Sequence, residues 1–402
     1  MRPATALLLG VLLGALTACG GGGDSKSAPG EGSWVIQGRI LGEGDVSGIE
    51  VALTGDAATA AFTDAGGTFR FANVVNGVYR VTPVDGGYDF TPDYYDIVIA
   101  GEQPRAVTFQ RGPLTDAQAP METVRLVLVH HETGEALLDP YRGNLGENLA
   151  NQNYYARNVT YGWDAPENPA IGDAIDIGQY WTWFADTSVQ GNGVATRDNI
   201  TGALYVTDAK TGAYPTPLPD PGGENEVIVL MSPFGNSGLN EDDASTVEAL
   251  QGRPHTDPSH TVANCRGIYG QLLDYFRSRP DKLFVIVTAA PLADAVTSPE
   301  AAARARLLHD WMVFHWLQDA GWENRNVYVW DLFNVLTDED NHHRYHLGQV
   351  VHEQVGLSDV AAYPTSVVDS TPDRDGSFKA TSELLGMLNI FYNRWHHWRT
   401  TP

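Results

Sequence analysis

The chain has 402 residues, 43% of them hydrophobic and 10% aromatic, enough for two or three domains and a large core. Its net charge is −25, from 25 basic against 50 acidic residues. That surplus excludes nucleic acid as a partner, because phosphates need Lys and Arg to neutralise them, and it excludes electrostatic adhesion to anionic lipid. The N-terminus reads as an export leader over residues 1–18: Arg2 supplies positive charge and residues 6–16 are an apolar stretch too short to span a bilayer.

The leader ends in Leu16-Thr17-Ala18-Cys19, which resembles a bacterial lipobox. The resemblance implies cleavage before Cys19, lipidation of that cysteine and a place in the cell envelope. Gly20, where an Asp would retain the protein at the inner membrane, points to the outer membrane. Cys265 is the second of two cysteines, so a lipidated Cys19 leaves no disulfide. It lies in an amphipathic helical pattern and reads as a small buried apolar residue. Residues 19–32 (CGGGGDSKSAPGEG) are Gly/Ser-rich and polar, a flexible tether.

Residues 33–110 change character. WVIQGRI, IEVALTG, TAAFTD, GTFRFANV, GVYRVTPV and AVTFQ alternate apolar and polar between Gly, Asp and Asn turns. This predicts an all-β sandwich of roughly seven strands. Gly48-Ile49-Glu50-Val51, Asp64-Ala65-Gly66-Gly67-Thr68-Phe69, Gly77-Val78-Tyr79-Arg80-Val81 and Gly87-Tyr88-Asp89-Phe90 resemble the carboxypeptidase-regulatory-like (prealbumin-like) module. The resemblance implies a non-catalytic spacer or adhesive domain. Residues 111–123 (RGPLTDAQAPMET) form a Pro-containing linker.

From residue 124 to 402, strand-like runs alternate with helix-like ones. Strands are expected at 124–129, 154–159, 226–231, 283–288 and 327–330, and helices at 262–277, 301–320 and 379–395. Near-continuous Val/Ile/Leu strands indicate a parallel sheet covered on both faces. The expected fold class is therefore multidomain: the β-sandwich, then a flavodoxin-like three-layer α/β/α domain.

Such a sheet presents its ligands at the C-terminal strand ends. There the chain places His130-His131-Glu132-Thr133-Gly134, then Tyr161-Gly162-Trp163, then Ser232 through Asn236-Ser237, and, before the last helix, Asp369-Ser370-Thr371. This order resembles the SGNH (GDSL-like) hydrolases, in a bacterial branch reading HHSTG, NYY, NYGWG, IGD, WTWF, NHHRY and GDSHP. Here Asn153-Tyr154-Tyr155, Thr160-Tyr161-Gly162-Trp163, Ile171-Gly172-Asp173, Trp181-Thr182-Trp183-Phe184, Asp281-Lys282-Leu283-Phe284 and Asn341-His342-His343-Arg344-Tyr345 carry the likeness.

The resemblance implies ester hydrolysis on acylated polysaccharide or another surface ester. Gly162 and Asn236 would be the oxyanion donors and Asp369 the orienting carboxylate. His131 is a further catalytic candidate, and Trp163, Thr133, Ser232 and His343 are candidates for ligand contact. Glu132 and Thr371 stand where the branch has its nucleophilic Ser and its base His. Glu132 cannot form an acyl-serine and Thr371 cannot take a proton near neutral pH. The expectation is a degenerate or altered enzyme needing no cofactor, with a non-catalytic carbohydrate- or surface-binding lipoprotein as the alternative.

Two other chemistries stay open. His130, His131, Glu132 and Asp369 could converge with His342, His343, His346, His352 and Glu353 on a metal, although their spacing matches no HExxH signature. Glu132 and Asp369 could form an acid/base carboxylate pair. The aromatic runs 180–184 and 395–398 read as core packing rather than sugar platforms.

Overall fold

The computed structural model describes residues 33–400 apart from 43, 85–87, 93, 164–173 and 323. The leader, Cys19, the tether and Ile171-Gly172-Asp173 lie outside the described residues. The chain divides into two compact units. Of the described residues, one holds those up to Val84 and those within Thr91–Gln110; the other holds Tyr88–Phe90 and those from Arg111 on.

Over residues 34–113 the alternating pattern produces eight strands among the described residues: β1 (Trp34–Leu41), β2 (Glu50–Gly55), β3 (Thr59–Phe62), β4 (Thr68–Val74), β5 (Gly77–Val84), β6 (Tyr88–Thr91), β7 (Tyr95–Ile99) and β8 (Val107–Pro113). They form two sheets, β4-β1-β8-β6 and β3-β2-β5-β7. Alternation buries Ile36, Ile40, Phe69 and Phe109 from one sheet and Val51, Leu53, Tyr79 and Val81 from the other. Tyr95 meets Phe109 at 5.1 Å between ring centroids.

In the second unit five strands form one sheet: β9 (Val124–Val129), β10 (Tyr154–Val159), β11 (Val227–Met231), β12 (Leu283–Val287) and β13 (Val327–Trp330). Their order is β10-β9-β11-β12-β13 and every pairing is parallel. Counted within the sheet this is 2-1-3-4-5, the doubly wound order whose direction reverses between its first and third strands. β9, β10, β11 and β12 are buried at every position; β11 and β12 read as unbroken apolar runs, while β9 carries Arg125 and β10 carries Arg157 and Asn158.

Among the described residues ten α-helices join or follow the strands: α1 (Glu132–Leu138), α2 (Leu145–Asn151), α3 (Ile177–Phe184), α4 (Thr196–Val206), α5 (Val247–Leu250), α6 (Val262–Ser278), α7 (Pro299–Phe314), α8 (Trp316–Asp319), α9 (Leu332–Thr337) and α10 (Arg374–Thr400). One core packs Val127, Val129, Ile228, Leu230 and Phe284 against α3, α4, α6 and α7. A second packs Leu126, Leu128, Val227, Val229 and Leu283 against α1, α2, α9 and α10. Successive strand residues thus feed opposite cores. The expected helix at 301–320 is two helices, because His315 leaves helical geometry at φ −125°. The expected last helix is longer at both ends.

Two hairpins, β14 (His342–His346) with β15 (Gln349–Glu353) and β16 (Pro364–Ser366) with β17 (Asp369–Pro372), complete the unit. Cys265 is fully buried in α6, and burial pushes its thiol pKa well up. Among the described residues, no helix is long and apolar enough to cross a membrane.

Candidate functional site

A cavity of about 360 Å³ opens at the C-terminal ends of β9 and β11, where the strand order reverses. Its wall includes His131, Glu132 and Thr133 from the end of β9, Met231 and Ser232 from the end of β11, and Asp369, Ser370 and Thr371 from β17. Phe234, Leu292, Val296 and Val368 give it an apolar rim.

The two histidines that end β9 are held in place from both ring nitrogens. His130 is fully buried. The Asn158 amide donates to its Nε2 at 2.9 Å, so its Nδ1–H donates to the His131 carbonyl at 2.7 Å. Burial pushes its pKa down to about 4. The Asn158 carbonyl oxygen accepts from the Thr211 N–H at 2.9 Å and from the Tyr214 hydroxyl at 2.8 Å. His131 donates from Nε2 to the Ile175 carbonyl at 3.0 Å and accepts the Tyr161 hydroxyl at Nδ1. Burial holds this imidazole, too, below its ordinary range. Burial disfavours the charged form of both rings, and neither has a nitrogen to spare for a substrate proton.

Gly134 completes the turn for a steric reason. A Cβ there would lie 2.3 Å from the His130 Cβ, a separation real atoms do not adopt. Gly134→Ala is therefore expected to cost about 3 kcal/mol through forced displacement of His130. Urea unfolding of the two proteins measures this, and equal midpoints would refute the packing argument.

Glu132 begins α1, exposed to solvent, where a carboxylate agrees with the helix dipole. Thr133 is half-buried beside it. Across the cavity, the Asp369 carboxylate accepts the Thr371 N–H at 3.0 Å, and the Ser370 hydroxyl accepts the Ala293 N–H at 2.9 Å. The Ser232 hydroxyl is paired with the buried Tyr269 hydroxyl at 2.6 Å. Burial pushes the Tyr269 phenol pKa well up, so it is no base for Ser232.

The other candidates lie away from the cavity wall. Asn236 is fully buried in a short 3-10 turn (Phe234–Ser237). Its amide donates to Tyr269 at 3.2 Å and its carbonyl oxygen accepts from His260 Nε2 at 3.0 Å. Gly162 sits in the turn after β10 at φ +80°. Trp163 packs on Trp183, 5.5 Å between ring centroids. His343 belongs to a separate network at the end of β13, where its Nδ1 accepts the Asp331 N–H at 2.9 Å.

Among the described residues, no group of three or more His, Cys, Asp or Glu side chains comes together to hold a metal ion. His342 is engaged by Glu383 at 2.7 Å and His352 by Asp331 at 2.8 Å, so these histidines serve hairpin β14–β15 and not Glu132.

One constellation near the site has no signature in the sequence. Asp176, the residue preceding α3, accepts both the His255 N–H and its Nδ1–H at 2.9 Å. The Asp176 hydrogen bond raises the His255 pKa. The His255 ring lies against Phe234, 4.9 Å between centroids, behind the cavity rim. These partners are 79 residues apart, and nothing in either local stretch announces the pair.

No family model matches the sequence, and no curated relative does. Among solved structures, a family two carbohydrate esterase from Cellvibrio japonicus is 12% identical, with 90% of this chain and 89% of that one covered, at a TM-score of 0.30. The periplasmic domain of a lipopolysaccharide acetyltransferase from Salmonella Paratyphi A is 10% identical, with 66% and 84% covered, also at 0.30. A DUF3823 family protein from Parabacteroides merdae is 20% identical over 20% of this chain, at 0.17, and the chain spans 46% of that protein's length. TM-scores this low carry no argument about the site, whose reading rests on the geometry given above.

Proposed function

We propose that this chain is an SGNH-hydrolase-like protein, with a flavodoxin-like three-layer domain, that binds a carbohydrate or acylated surface ligand in the β9/β11 cavity without serine-hydrolase chemistry. One observation carries the reading. The cavity wall holds Glu132 and Thr371, which the sequence resemblance aligns with the nucleophile and base, and the imidazole on that wall, His131, has both nitrogens occupied. Hydrolysis by the serine route requires an alkoxide-forming hydroxyl and a free base within reach. Thr133, Ser232, Ser370 and Thr371 supply hydroxyls to the wall, but no imidazole with a free nitrogen accompanies them among its described residues.

Within this proposal the first unit is a prealbumin-like spacer, and lipidated Cys19 anchors the protein in the envelope, in the outer membrane. Incorporation of labelled fatty acid by the full chain in a Gram-negative host, lost in Cys19→Ser, is the expected result; equal labelling of the variant would remove the anchor from the account.

The test of the site is hydrolysis of a short-chain aryl ester by residues 33–402. No turnover above buffer is expected, with zinc added or with a chelator present. Turnover abolished by Glu132→Gln would replace this reading with carboxylate catalysis by Glu132 and Asp369.

A further inference from the structure

The cavity at β9/β11 is one end of a longer depression. A second hollow shares Glu132, Asp369 and Thr371 with it and continues over Glu135, Asp139 and Arg142. A third, about 450 Å³, shares Glu135 and Asp139 with the second and ends on Tyr141 and Tyr214. The three share walls in series, so they form one trench along α1. Glu132, Glu135 and Asp139 fall at i, i+3 and i+7, one face of that helix, and span about 10 Å of its axis.

Fold stability accounts for this floor only in part: Glu132 and Glu135 suit the first turn of α1, Asp139 accepts the Tyr141 N–H at 2.7 Å and Asp369 the Thr371 N–H at 3.0 Å. Like charges three or four residues apart weaken a helix. Asp139 caps the C-terminal end, where the dipole disfavours an anion, and the last turn has no basic residue. Glu132, Glu135, Asp139 and Asp369 take part in no ion pair among the described residues. Tyr141 is 87% exposed at one end of the trench and Phe234 38% exposed at the other. The Phe234 ring is held by edge contacts with His131 and His255 and keeps part of its surface open, and Tyr141 makes no ring contact among the described residues.

We infer that the trench binds a linear oligosaccharide bearing free amino groups, with its terminal ring in the β9/β11 cavity and later rings reaching Tyr141. The inference deepens the ligand-binding reading and rests on it. Aromatic faces at both ends suit sugar rings, wall hydroxyls from Thr133, Ser370 and Thr211 suit a polyhydroxylated chain, and the carboxylates suit ammonium groups. An extended peptide is less well served. Its recognition uses a free strand edge, and a helix face offers no such backbone ladder.

The experiment is calorimetric titration of residues 33–402 with glucosamine oligomers, dimer to hexamer, beside their N-acetylated counterparts and a tetralysine peptide. Affinity for the free-amine series should rise about tenfold from dimer to tetramer or beyond. Tyr141→Ala should erase that rise and leave the dimer unchanged. Glu135→Gln/Asp139→Asn should weaken the tetramer about five- to tenfold, and N-acetylated oligomers should bind wild type correspondingly less tightly.

Equal affinity at every length, or a tetramer indifferent to both variants, overturns the trench while dimer binding leaves the cavity reading standing. Tetralysine binding more tightly than the glucosamine tetramer overturns the saccharide assignment. No binding at any length overturns the inference, and the ester assay then judges the cavity reading by itself.

Discussion

Lowering the pH from about 7.5 to about 5 is expected to cut the urea midpoint of the chain steeply, by several kcal/mol of stability. Four buried histidines drive the effect. Burial pushes His130 and His260 down to about 4 and His309 and His343 down to about 3. In the unfolded chain each titrates near 6.5. As pH falls through that value the unfolded state takes up protons that the folded state refuses. The stability these groups contribute is whole above about pH 6.5 and drains away toward pH 4 and below, at about 1.4 kcal/mol per group per pH unit. His255, raised by its hydrogen bond to Asp176, works in the opposite direction. A midpoint that is flat between pH 7.5 and 5 would mean that the four rings are not held neutral inside the fold.

Asp331→Ala is expected to destabilise the chain by about 3–5 kcal/mol. The Asp331 carboxylate is fully buried at the end of β13. It accepts the Thr288 hydroxyl at 3.0 Å, the Asn334 N–H at 3.1 Å and His352 Nε2 at 2.8 Å. Burial pushes its pKa up, but the His352 hydrogen bond and the His352 charge outweigh that and hold it below the ordinary carboxylate range. Alanine strands three donors, one of them from hairpin β14–β15. Asp331→Asn keeps acceptors for Thr288 and Asn334 and should cost only about 1–2 kcal/mol. Urea unfolding of all three proteins at neutral pH makes the comparison. An alanine variant within about 0.5 kcal/mol of wild type would show that the network does not pin the hairpin.

The sheet was legible in the sequence because parallel strands buried on both faces leave unbroken apolar runs. Val227–Met231 and Leu283–Val287 are such runs, and Val124–Val129 is one but for Arg125. The order of the strands was not, since neighbours in a parallel sheet are set by crossovers rather than by any local pattern. α1 was poorly marked. It has seven residues with two acidic ones in its first turn, Gly134 among them, and no side-chain cap. The hairpin at His342–Glu353 carries polar and aromatic residues on both faces, so no alternation identifies it. His315, which divides α7 from α8, is an ordinary helix-compatible residue and gives no warning of the break.

The site was legible to the extent that strand ends locate it. His131, Glu132, Thr133, Ser232, Asp369 and Thr371 meet at one cavity although 239 residues separate Glu132 from Thr371 in the 402-residue chain. Direction was the missing information. Pro233 leads into a 3-10 turn that sends Asn236 inward to Tyr269 and His260, and the hairpin turns His343 toward Asp331. A motif names residues near a site; only the backbone after the strand decides which of them face it.

The central claim is that Glu132 and Thr371 occupy the places of a lost nucleophile and base. Aryl-ester turnover by Glu132→Ser/Thr371→His beside wild type tests it most directly. Removing one such partner from a working triad costs about a million-fold, so restoring both in a cavity that retains Asp369 should recover at least about 10³ over wild type, with neither single variant reaching that level. A double variant that folds as wild type does and still shows no turnover, or a wild-type chain as active as the double variant, would contradict the claim.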